Sequence, residues 1–154
     1  MPPLFIWLEL LATISSSLFV GALIFIAFVM VKFWHSTEPK DFFTWMSLHF
    51  FRFPKIMIPL NLLSLLTIAA ALIVSWQPNP ATRLPLSLSL FFLLACSITF
   101  PIYFAKANEE FVTKSVEIAD VTSKIIVWSN WHWFRTGLAF ISTILVGWSL
   151  IKPV

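Results

Sequence analysis

Residues 4–31 read LFIWLELLATISSSLFVGALIFIAFVMV, an apolar run whose one ionisable side chain is Glu9. A helix crossing the roughly 30 Å hydrocarbon layer of a bilayer takes about 20 predominantly apolar residues, and this run exceeds that. A cleaved leader has an apolar region of about 7 to 15 residues behind a positive head. Here the run is longer and no Lys or Arg precedes Lys32. It is therefore expected to stay in the mature protein as the first of several spans.

Three more apolar stretches follow, at about 56–76, 85–105 and 135–151. In lipid a span has to satisfy its own backbone N–H and C=O groups, and no stretch shows the alternation of a barrel strand, so all four are predicted to be helices. The expected fold class is an all-α membrane protein, a four-transmembrane-helix bundle forming a single integral membrane domain over residues 1–154. Composition agrees: 59% of the 154 residues are hydrophobic and 11% charged, against about 25% charged in soluble domains. That excludes a soluble fold and a disordered chain. The lone Cys96 has no disulfide partner and is expected to pack as a small hydrophobe.

The connectors differ in kind. Gln77 to Leu84, QPNPATRL, forbids helix at its Pro-Asn-Pro core and predicts a tight turn. Lys32 to Lys55 contains a turn signal at residues 35–39, then an aromatic stretch from Asp41 to Phe53 expected to lie as an interfacial helix stopped by Pro54. Residues 106–130 lack Pro and Gly, and Phe111, Ile118, Ile125 and His132 recur at sevenfold spacing. This predicts an extended cytosolic helix between spans 3 and 4, with Glu110–Lys114 and Asp120–Lys124 pairs on its open side. Pro101, deep in the third span, predicts a kink. Eight of the ten Lys and Arg fall on the side of the long connectors, leaving Arg83 and Lys152 opposite. An integral, multi-pass protein of the plasma or inner membrane with cytoplasmic long connectors is expected. Glu9 is expected to reach the headgroups, and Thr13, Ser17 and Gly21 to form a small-residue contact stripe.

Chemistry concentrates at the start of the last span, in Trp128-Ser129-Asn130-Trp131-His132-Trp133-Phe134-Arg135-Thr136. Trp128, Trp131, His132 and Arg135 fall at i, i+3, i+4 and i+7 and share one helix face. Indole faces, an imidazole and a guanidinium together suit a flat, electron-rich or anionic ligand. The competing reading is an aromatic belt with an Arg anchor, but a belt needs no His and Arg on the stripe that continues the buried face of Phe111 and Ile125. Asn108 and Glu109 form a second polar patch. His49, three residues before Arg52, repeats the His–Arg spacing in a segment that could equally face phosphates. His35, His49 and His132 show no metal-ligand spacing, so no metal site and no cofactor are expected, with haem and metal left open. Membrane lipids, a lipophilic small molecule and either a second copy or a larger membrane complex are the expected partners. Nucleic acid is not, because no basic block occurs.

The four-span layout, Asn108 after span three, Trp128-x-x-Trp131 and Arg135-Thr136 resemble the DUF1772, or anthrone oxygenase-like, family. The family's Pro-Leu-Asn run reads Lys106-Ala107-Asn108 here, and His132 stands where many members carry Asn. The resemblance implies oxidation of a flat anthrone- or quinone-like polyketide by molecular oxygen without a cofactor. It casts His132 as base, Arg135 as oxyanion stabiliser, Asn108 as orienting partner, and Trp128 and Trp131 as walls. His49 and Glu109, taken from the residues themselves, are expected as further substrate contacts. The alternative is a non-catalytic membrane subunit that binds a lipid, a pigment or a larger complex.

Overall fold

The computed structural model describes residues 3–151, which are helical apart from short connectors and contain no strand. Helix α1 runs continuously over Leu4–Ser36, α2 over Pro39–His49, α3 over Arg52–Ser75, α4 over Pro80–Val112 and α5 over Val121–Ser149. Among the described residues, α1, α3 and α4 are long and apolar enough to cross a membrane. The four long helices pack in a ring, α1 against α3 and α5, and α4 against α3 and α5, with each sequence neighbour antiparallel. Residues 37–51 and 113–120 consequently join helices at one end of the molecule, and the 76–79 turn lies at the other.

Small residues set the contacts. Ala12, Ala71 and Ala139 are fully buried where helices approach, and paired hydroxyls link them: Ser15 with Thr67 at 3.0 Å, and Ser89 with Ser142 at 2.9 Å. Without a hydrophobic drive between spans, such close backbone approach and interhelical hydrogen bonding hold a bundle together. Two apolar clusters result. One gathers Trp34, Phe42, Phe104, Phe111 and Trp128 at the long-connector end; the other gathers Phe19, Leu23, Ile68, Leu93 and Val146 in the remainder.

Several local expectations are corrected. The 106–130 segment is two helices, because α5 has to return antiparallel to α4. Lys114 takes a left-handed conformation, φ 58°. Ser115 N–H donates to the Glu110 carbonyl at 3.0 Å and Lys114 N–H to that of Phe111 at 3.3 Å, a Schellman end. The break buries Val116 and leaves Ile118, the expected heptad member, 51% exposed. Glu110 pairs with Lys106 and Lys124 instead of Lys114. Pro54 sits in the first turn of α3, where a missing N–H costs nothing, so it begins a helix that it was expected to precede.

In α1 the buried face runs through Ala12, Ser15, Ser16, Phe19 and Leu23, while Ser17 and Gly21 are exposed. Glu9 turns inward, 2% exposed, and its Oε1 has no hydrogen-bond partner. Pro101 lies in a π-helical segment, Phe100–Phe104, and α1 carries another at Ile26–Met30.

Candidate functional site

The two π segments flank a cavity of about 220 Å³ between the apolar clusters, bounded by α1, α3, α4 and α5. Such bulges add a residue to a turn and re-aim the side chains around it, which is why they recur at functional sites. The walls are largely apolar and aromatic, including Phe19, Trp34, Phe50, Phe53, Met57 and Trp128. Polar atoms come from Arg135, Asn108, Asn61, Ser97 and Cys96.

Arg135 is the centre of the polar arrangement. Its Nε and Nη2 both donate to Nδ1 of His132, at 3.1 and 2.8 Å. With Nδ1 the acceptor, the imidazole proton resides on Nε2, which donates to the Leu23 carbonyl at 2.9 Å, one turn ahead of the α1 π segment. Beneath the guanidinium lies the face of Phe104, 3.8 Å from Cζ to ring centroid, with Trp128 at 5.7 Å. Trp128 stacks on His132 with centroids 5.0 Å apart and planes 12° apart, and its indole N–H donates to Asn108 Oδ1 at 2.9 Å. Leu23, His132, Arg135, Trp128 and Asn108 thus form one connected chain across α1, α5 and α4.

The chain leaves donors unused. Nη1 of Arg135 and Nδ2 of Asn108 have no partner among the described residues, and the indole N–H of Trp34, which also lines the cavity, is buried without one. Arg135 meets no carboxylate either: the ion pairs among the described residues all involve Glu110. Arg135 is half-buried, and a cation held at a largely apolar wall without a carboxylate beside it marks a place where an anion or oxygen can be received.

Of the residues singled out by sequence, Asn108, Trp128 and Arg135 line the cavity, and His132, 0% exposed, stands behind Arg135 and orients it. Trp131 lies outside, stacked on Tyr103 with centroids 5.1 Å apart. Glu109 is exposed and away from the cavity. His49 packs its ring against Trp45 and does not reach it, although the following Phe50 and Phe53 do. Cys96 packs in the second apolar cluster, as expected, and also borders the cavity, as do Asn61 and Ser97. An amide inside a span was a readable signal for Asn61; nothing in the sequence pairs Phe104 with Arg135. Among the described residues no three His, Cys, Asp or Glu side chains gather as metal ligands.

No family model matches this chain, and neither a curated protein nor a solved structure matches it. The site's chemistry therefore rests on its geometry.

Proposed function

We propose that the chain is a four-span membrane protein with cytoplasmic long connectors, and that its interior cavity binds a flat lipophilic molecule through an oxygen held by Arg135. The observation that carries this reading is a guanidinium fixed by His132 and Phe104, without a carboxylate, against an aromatic-walled cavity. The unused donors of Arg135, Asn108 and Trp34 call for an acceptor: a carbonyl, phenolate or enolate oxygen.

The activity implied by the DUF1772 resemblance would use the polar end of this pocket. Arg135 would stabilise the oxyanion of an anthrone-type substrate after loss of its acidic C–H proton, and the electron-rich carbanion would then react with oxygen in a site sheltered from water. His132 orients Arg135 in this geometry, since both of its nitrogens are engaged. It would act as base only after Arg135 swings away from Nδ1. That engagement favours a second reading, retention of a pigment or quinone without turnover, as in a subunit of a larger complex.

Mass spectrometry and an absorption spectrum of gently extracted protein separate these readings from no function at the cavity. A co-purifying aromatic ligand is expected in the wild type and lost in Arg135→Gln; a ligand retained equally by both would end the proposal. Oxygen uptake with an added anthrone, absent in Arg135→Gln, is the mark of the enzyme.

A further inference from the structure

The cavity is small for the molecule that a polycyclic substrate would be. At about 220 Å³ it exceeds the roughly 150 Å³ that takes up benzene and falls short of the roughly 300–1,000 Å³ that buries a drug-sized ligand. One ring with its oxygens fits. Anything larger has to continue outside.

A way out exists between α3 and α4. Ile58, Leu62 and Phe100 border the cavity and are themselves 52%, 51% and 45% exposed. All three are apolar and stand on membrane-length helices, and α3 is the least buried of those helices. Beside them Asn61 and Ser97 clasp α3 to α4: Nδ2 donates to Oγ at 2.9 Å, and the one hydroxyl proton has the Leu93 carbonyl at 2.8 Å and Oδ1 at 3.2 Å as acceptors. This clasp spends most of the local polarity between the two helices, and the exposed residues around it, Ile58, Leu62 and Phe100, are apolar. At the inner end the free groups are donors, which call for an oxygen, and the walls are aromatic, which suits a ring better than an alkyl chain.

Resting on the reading that Arg135 receives a lipophile, we infer that the ligand is a tail-bearing amphiphile. Its head is a single quinone or phenolate ring held by Arg135 and Asn108, and its aliphatic tail leaves through the window lined by Ile58, Leu62 and Phe100 into the lipid. The ring enters by the same window, from the bilayer and not from water.

Full-length protein in lipid nanodiscs provides the test. Binding of a benzoquinone with a decyl tail, and of the same ring without it, is read by quenching of tryptophan fluorescence and referred to lipid concentration. Arg135→Gln supplies the nonspecific baseline; anthrone and oleate are added as competitors. Both quinones are expected to bind the wild type alike, because the tail remains in lipid whether or not the ring is bound. Leu62→Trp, a change at an exposed position, is expected to weaken the tailed probe by about tenfold or more through crowding of the window, while sparing the untailed ring. Equal binding of the tailed probe to Leu62→Trp and wild type overturns the inference, and so does stronger displacement by anthrone or oleate than by the untailed quinone. If no probe binds the wild type above the Arg135→Gln baseline, the reading of Arg135 as the receiving group fails, and this inference with it.

Discussion

Arg135 and His132 make opposite demands on stability. His132 holds two partners, Leu23 and Arg135, so His132→Ala removes a helix-to-helix bond, leaves a guanidinium without its acceptor and opens a void. A loss of about 3 kcal/mol is expected, visible as a clear fall of the unfolding temperature in detergent. Arg135→Leu removes an uncompensated charge and is expected to leave that temperature unchanged or raised, while abolishing ligand retention. A protein destabilised equally by both changes would show that Arg135 serves the fold. At this scale the sequence was partly legible. The i, i+3, i+4, i+7 spacing placed Trp128, His132 and Arg135 on one inward stripe, yet it could not show that Arg135 would occupy the imidazole lone pair. Phe104, which comes beneath the guanidinium from another helix, lies outside any local pattern.

At the scale of elements, the end of α4 carries a removable strain. Lys114 occupies the left-handed position of the Schellman end, where a side chain costs roughly 1–2 kcal/mol. Lys114→Gly should relieve part of it, raising the unfolding temperature without altering ligand binding; a lower temperature would place the residue's value in its side chain. This break also explains why the 106–130 segment misled. Its lack of Pro and Gly and its sevenfold repeat favour one helix locally, but a helix continued from α4 could not bring α5 back along the bundle. Likewise, Thr13, Ser17 and Gly21 have the spacing of a contact stripe, and the face that packs is the neighbouring one through Ala12, Ser15 and Phe19. Periodicity identifies a stripe; which stripe meets a partner is decided by where the other helices stand.

The whole molecule places residues 113–120 at one end and the 76–79 turn at the other. With Cys96→Ala as background, single cysteines at Lys114 and Arg83 should react with a membrane-impermeant maleimide from opposite faces, the former from the cytoplasm. Labelling of both from one face would refute the four-span arrangement. Length sets a further property: α4, with 33 residues, is about 50 Å long and outreaches the roughly 30 Å apolar layer. Its last turns carry Glu110 bonded to Lys124, whereas the cavity lies between the two apolar clusters.

Sequence alone determined the helical class and the membrane-length apolar helices, because hydrocarbon leaves a spanning backbone few other ways to satisfy its hydrogen bonds. It also marked the residues where charge and amide groups enter apolar surroundings. Only the tertiary structure decided that Asn108, Trp128 and Arg135 border one cavity, that His132 lies behind it, and that Trp131, His49 and Glu109 lie elsewhere. Those outcomes depend on how helices distant in sequence rotate and pack against one another, which no local pattern encodes.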